Sequence, residues 1–274
     1  MILGYDLSLW QEYHIKVPIK SNIHKNPHSL IVGKSGSGKS QSFLWYTYHL
    51  LKEKESMMYI CDFKSGKEYQ ALKGCDSYAY ADSAIDMIQD YYNLYTYLRK
   101  TGDTSIPHIT LAIEEWFGLL GYIEGKDKKL KTELMQKVGE ILALGRGIGN
   151  GIGVIVLVQR ADSSNFSAGS REQFQNICSF GRISKEQKNM LFAGEELEEI
   201  KNYSSGQGLV LIDGQGGIEE VIVPWIPEQE KMLNVILQHM QKQPSLKELA
   251  NQGEVNGLRG LCTCKTLTTF PERE

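Results

Sequence analysis

Gly33-Lys34-Ser35-Gly36-Ser37-Gly38-Lys39-Ser40 carries the spacing G-x-x-x-x-G-K-[ST], the pattern of a loop that wraps a phosphate chain. Its glycines let the backbone curl closely around an anion. Lys39 can reach the β- and γ-phosphates of a nucleotide, and the hydroxyl of Ser40 is placed to ligate a magnesium ion that keeps most of its waters. A second chemical signature is Glu114-Glu115, which follows the apolar run Ile109-Thr110-Leu111-Ala112-Ile113. Downstream of a phosphate loop, the first acid of such a pair orients the metal through its water shell, and the second polarises the water that attacks the γ-phosphate. Glu114 stands where Asp is usual, and its extra methylene is tolerable if a water intervenes. Neighbouring strand residues point to opposite faces, so Glu115 joins the site only if the strand ends there.

These residues need elements to hold them. The apolar run Ser29-Leu30-Ile31-Val32 supplies a strand into the loop, and Pro27 sets the point where that strand begins. A helix over Gln41 to Lys54 leaves the loop, with Phe43, Leu44, Tyr46, Thr47, Leu50 and Leu51 on its buried face. Met57 to Cys61 reads as a buried parallel strand ending in Asp62-Phe63-Lys64, either at the ligand side of the sheet or as a salt-bridged surface turn. A helix over Ser83 to Arg99, capped by Asp82 or Ser83, buries Ile85, Ile88, Tyr92, Tyr95 and Leu98. Gly125 to Lys131 is expected to be a solvated basic loop. A helix over Leu134 to Leu144 runs into the glycine-rich break Gly145 to Gly151, which carries Arg146, and then into the strand Val154 to Val158, which ends in Gln159-Arg160. Further strands are predicted at Ile177 to Ile183 and, as an antiparallel hairpin, at Gly208 to Ile212 and Glu219 to Val223. Ser184 starts a helix, and another is expected over Glu228 to Gln241. Before the first strand, only Val17-Pro18-Ile19 reads as a short edge strand. From Asn251 onward the composition predicts a poorly ordered tail.

At 274 residues the chain can build a substantial core as one large α/β domain or two smaller ones, and a formal net charge of −3 excludes a basic surface spread over the whole molecule. The 5 cysteines are odd in number and scattered, which suits a reducing cytoplasm. Cys262 and Cys264 have no second pair or nearby histidines, and read as free thiols, not a zinc site. No apolar stretch approaches the ~18 residues that span a bilayer, and Met1 to Trp10 has no signal-peptide pattern.

Taken in order, the motifs resemble the motor domain of the FtsK/SpoIIIE family of DNA-pumping ATPases, within the wider group that includes HerA. Asn26-Pro27-His28 leading into the phosphate loop, Asp62-Phe63-Lys64, Glu114-Glu115, the segment from Arg146 to Gln159-Arg160, Gly181-Arg182-Ile183-Ser184-Lys185 and the terminal hairpin each have a counterpart there. The match covers residues 16 to 226. It departs from the family pattern at Phe63, Glu114, Val158 and Ala161, and leaves no room for the family's membrane segments or its winged-helix module.

The resemblance implies a RecA-like P-loop NTPase fold: a mainly parallel central sheet flanked by helices, with an antiparallel C-terminal hairpin. Residues 1–28 would be a lead-in, 29–243 the motor domain and 244–274 a C-terminal helix and tail. It also implies a cytoplasmic hexameric ring around double-stranded DNA, with ATP and Mg2+ between subunits. Gly33 to Ser40 would bind ATP, Ser40 and Glu114 the metal, and Glu115 would activate water. Gln159 would sense the γ-phosphate, Arg146 or Arg182 would act as an arginine finger on a neighbour, and Arg160, Lys185 and Lys188 would touch DNA. A nucleotide-dependent switch or assembly subunit is the alternative from another class, and a small-molecule kinase is a third reading that lacks an arginine-rich lid.

Overall fold

The computed structural model describes residues 1–53, 56–167, 169–195, 201–226 and 229–251. In chain order its elements are β1 (Ile2–Asp6), α1 (Leu7–Tyr13), β2 (Pro18–Lys20), β3 (His28–Gly33), α2 (Lys39–Lys52), β4 (Ser56–Asp62), β5 (Tyr78–Tyr80), α3 (Ser83–Thr101), β6 (His108–Glu114), α4 (Trp116–Lys126), α5 (Lys128–Leu144), β7 (Ile152–Val158), β8 (Asn176–Phe180), α6 (Lys185–Leu191), β9 (Gln207–Ile212), β10 (Ile218–Ile222), α7 (Gln229–Met240) and α8 (Leu246–Asn251).

The strands form one 10-stranded sheet in the order β2-β1-β10-β9-β8-β3-β7-β6-β4-β5. From β8 through β5 every pairing is parallel, while β9, β10, β1 and β2 add on antiparallel at the other side. Every residue of β3, β6 and β7 is buried, which explains why those strands read as continuous apolar runs: parallel strands are covered on both faces. Alternate side chains feed two cores. On β3, Leu30 and Val32 join the core beneath α3, α4, α5 and α8, whereas Ile31 joins the core beneath α2 and α7.

Several local expectations are corrected. Residues 2–13 hold β1 and α1, and β1 sits between β2 and β10 instead of leading up to the sheet. The Asp6 carboxylate caps α1 by accepting from Leu9 N at 2.8 Å. The basic stretch from Gly125 is helical: only Asp127 interrupts it, and its Oδ1 accepts from Lys129 N and Leu130 N, so the lysines start α5. Neither expected residue caps α3 in the ordinary way, because the Asp82 carboxylate takes the Tyr122 hydroxyl and Ser83 Oγ bonds to Tyr80. The strand expected to reach Ile183 ends at Phe180, where Gly181 turns the chain at φ 73°. The pair Ser245 and Glu248 forms a reciprocal capping box on α8, whose Leu246 and Leu249 are buried. Among the described residues no helix is long and apolar enough to cross a membrane. Cys262, Cys264 and the expected tail lie outside the described residues.

Candidate nucleotide site

The end of β3 delivers the glycine-rich loop and α2 leaves it. The N-cap of α2 is Gly38, at φ 92°, with no side-chain capping bond. The first N–H groups of the helix therefore lack a capping side chain and, with the positive end of the helix dipole, are available to an anion. Gly36 also has positive φ, 81°, which a side chain would strain. The loop is braced from the β8–β9 side. Gly206 N donates to Ser37 O at 2.9 Å, and a Cβ added to Gly38 would come within 2.5 Å of Gly206 N. Ser37 and Lys39 are buried, whereas Lys34, Ser35 and Gly36 face solvent.

The acids approach from the opposite side, where β7 separates β3 from β6. Ser40 Oγ donates to Glu114 Oε1 at 3.3 Å. Glu114 is 3% exposed, and burial pushes its carboxyl up to about 7. The nearby Tyr69 hydroxyl opposes that shift, Asp62 adds to it, Lys39 opposes it and Glu68 adds a little more. Glu114 Oε2 is buried without a hydrogen-bond partner among the described residues. A buried, half-satisfied carboxylate beside a serine hydroxyl and a lysine fits the donor set of a hydrated Mg2+, which Ser40 would ligate and Glu114 would hold through a water. Such an ion would supply charge neutralisation at the β- and γ-phosphates.

β6 ends at Glu114, and Glu115 takes up left-handed geometry at φ 57° as the N-cap of α4. For a non-glycine residue this conformation costs about 1–2 kcal/mol. It releases the Glu115 carboxylate from the strict alternation of the strand, so that it accepts from Gln159 Nε2, just beyond β7, at 3.5 Å. Lys39, Ser40, Glu114, Glu115 and Gln159 thus meet at the carboxyl ends of β3, β6 and β7, the ligand side of an open α/β sheet. Such a set can hold a phosphate chain beside two carboxylates.

Asp62 belongs to the same edge, paired in register with Glu114. It is fully buried and accepts from Gly66 N at 2.7 Å and from the Tyr78 hydroxyl at 2.9 Å, so it is not half of a surface ion pair. Glu68 and Tyr69, in the short 3-10 helix after β4, went unread in the sequence; a helical turn so short leaves no periodicity to detect.

Of the remaining candidates, Arg182 alone lies beside the phosphate loop. Arg146 is exposed in the 3-10 turn Gly145–Gly147 before β7, hence at the opposite end of the sheet from the phosphate loop of its own chain. It lies close enough to His28, the first residue of β3, to help depress that imidazole's pKa. Arg182, also exposed, follows Gly181, and a Cβ added to that glycine would come within 2.9 Å of Ser37 Cβ, so Arg182 sits beside its own loop. Arg160 is exposed and pairs with Asp162 at 3.4 Å and Glu186 at 3.7 Å. Lys185 is exposed at the start of α6, and Lys188 is half-buried one turn later.

No protein-family model matches the sequence, and no curated protein matches it either. Solved structures do resemble it. The conjugation coupling protein TcpA of pCW3, in its monomer form with ATPγS, superposes with a TM-score of 0.61 at 19% identity over 86% of this chain and 73% of that one. The cytoplasmic domain of the Thermomonospora curvata type VII secretion ATPase EccC gives 0.61 at 15% identity, over 89% of this chain and 31% of that one. ATPases 2 and 3 of EssC from Geobacillus thermodenitrificans give 0.60 at 14% identity, over 92% and 49%. At such identities the likeness is one of fold, and this chain spans less than half of the EccC and EssC structures. The mixed, mostly parallel sheet, the helices on both faces and the loop between β3 and α2 are the RecA-like P-loop ATPase fold.

Proposed function

We propose that this chain is a magnesium-dependent ATPase that works as a ring and translocates double-stranded DNA. The observation that carries the reading is the meeting of Lys39, Ser40, Glu114, Glu115 and Gln159 at one end of the sheet while Arg146 stands at the other. With Arg146 at the far end of the sheet from its own phosphate loop, its guanidinium could serve a nucleotide only across a subunit boundary. In this reading Glu115 takes the proton of the attacking water, Gln159 aligns Glu115 and senses the γ-phosphate, and a neighbour's Arg146 stabilises the transition-state charge. Arg182 is better suited to the nucleotide of its own subunit. The motif order that resembles FtsK/SpoIIIE motors supports duplex DNA as the cargo, with Arg160, Lys185 and Lys188 as sequence-independent phosphate contacts.

One observation favours a second reading. Arg160 is flanked by Asp162 and Glu186, which offset its charge where the DNA reading needs a basic surface. Among the structural neighbours, EccC is a type VII secretion ATPase and has also been solved in complex with a signal sequence peptide. An ATP-dependent assembly or switch subunit acting on a protein partner is therefore the alternative. Measuring ATP hydrolysis with and without linear duplex DNA separates the two. Translocation requires Mg2+-dependent turnover that rises several-fold with DNA and loses that stimulation as salt increases. Turnover that stays flat across a DNA titration at low salt favours the protein-partner reading.

A further inference from the structure

Trp225 is 74% exposed, the largest exposure among the exposed large hydrophobic side chains described. Its neighbours in sequence are held firmly. Val223 is buried, Val223 N donates to Gly206 O at 2.8 Å, and Ile226 packs against the core beneath α2. Between them, Pro224 O accepts from Gln41 Nε2 at 2.8 Å, and Gln41 is the residue after Ser40. Gly206, in turn, donates its N–H to Ser37 O inside the phosphate loop. The backbone that carries this solvent-facing indole is thus tied through these bonds to both the phosphate loop and the first turn of α2.

Sheet order says which part of a nucleotide would meet it. Glu114, Glu115 and Gln159 approach the loop from β6 and β7, on one side of β3. Trp225 follows β10, on the other side of β3, beyond β8 and β9. With the γ-phosphate against the acids and the phosphates laid across the loop, the ribose and base extend toward the β8–β10 side. The rigid, flat indole has the size and polarisability to stack on a purine there.

On the reading of this loop as an ATP site, we infer that Trp225 is the stacking platform for the nucleotide base. The segment from Val223 to Ile226 then serves as a strap that ties recognition of the base to the phosphate loop. Stacking recognises an aromatic face without reading its edge, so Trp225 gives affinity for nucleotides over inorganic phosphates and only weak preference among purines.

The test compares two probes with Mg2+, ATP and inorganic tripolyphosphate, by titration calorimetry on the wild-type chain, Trp225→Ala and Trp225→Phe. Trp225→Ala should weaken ATP binding on the order of tenfold while leaving tripolyphosphate binding unchanged, and Trp225→Phe should restore most of the loss. ATP should also quench tryptophan fluorescence in the wild type, and lose most of that quench in Trp225→Ala. If the wild type binds ATP and Trp225→Ala binds it equally well, the platform is refuted while the ATP site stands. A defect in Trp225→Ala confined to subunit association or DNA-stimulated turnover would equally refute it, and would assign the indole to a protein or DNA contact. If the wild type binds neither probe, the ATP reading itself falls and the platform with it.

Discussion

Ser40 Oγ and Glu114 Oε1 lie 3.3 Å apart although the strands that deliver them, β3 and β6, are separated by β7. The contact joins the phosphate loop to the acid pair, and it puts a carboxyl pushed up to about 7 by burial at the place where a metal's water would sit. The chemistry of the site therefore depends on whether Glu114 is charged.

Below about pH 4.5 Glu114 is protonated folded or unfolded, and burial exacts no penalty. As pH rises toward 7, the unfolded chain gives up the proton while the folded one keeps it, so the nucleotide-free protein loses stability across that window. Glu114→Gln should be more stable than wild type at pH 8 by up to about 3 kcal/mol, and equal to it near pH 4. Urea melts at the two pH values check this, and an unchanged difference between them would refute the shift. Binding of Mg2+ with nucleotide should show the reverse trend, tightening as pH rises through about 7 in wild type and remaining weak in Glu114→Gln.

Glu115→Gln should bind ATP with near-normal affinity yet hydrolyse it about two to four orders of magnitude more slowly, because the amide keeps the contact with Gln159 but cannot take a proton. Single-turnover hydrolysis checks it. A near-wild-type rate would move the base role to another group.

The far end of the sheet should make the protein acid-sensitive. Burial, then His108, then Arg146 lower His28 to about 3, and burial and then His24 lower His108 to about 4. Both are neutral in the fold, so their contribution is complete above the ordinary value of 6.5 and is lost as pH falls below it, where only the unfolded chain takes up protons. Offset in part by Glu114, which titrates in the opposite sense over this window, the two imidazoles should contribute between pH 6 and 4.5 a slope that approaches about 2.7 kcal/mol per pH unit. His108→Gln should remove about half of that slope, even if it lowers stability at neutral pH; denaturant melts across the range provide the measurement.

Arg146→Ala and Lys39→Ala should each be nearly inactive alone, since one lacks the proposed finger and the other the phosphate-loop lysine. Mixed subunits create interfaces where an intact loop meets an intact arginine, so part of the activity should return on mixing. Such fingers contribute on the order of a thousandfold to turnover. Near-normal turnover of Arg146→Ala by itself would sink the assignment and turn attention to Arg182.

What the sequence determined by itself was local. A glycine-rich loop between an apolar run and a helical stripe, acids at the end of another run, and a glycine-rich turn between alternating strands are patterns within one or two elements, where neighbours in sequence are neighbours in space. The parallel character of the sheet was legible for the same reason, since strands covered on both faces must be apolar throughout. Tertiary structure decided how distant segments meet. Nothing local reveals that β1 inserts between β2 and β10, that Gln159 reaches Glu115, that Gly206 clasps the phosphate loop, or that Asp62 is buried under Tyr78. These depend on strand order and on long-range hydrogen bonds, which no spacing along the chain encodes. The separation of Arg146 from its own loop has the same origin: residues before a parallel strand and residues after its neighbour lie at opposite ends of the sheet, whatever their distance in sequence.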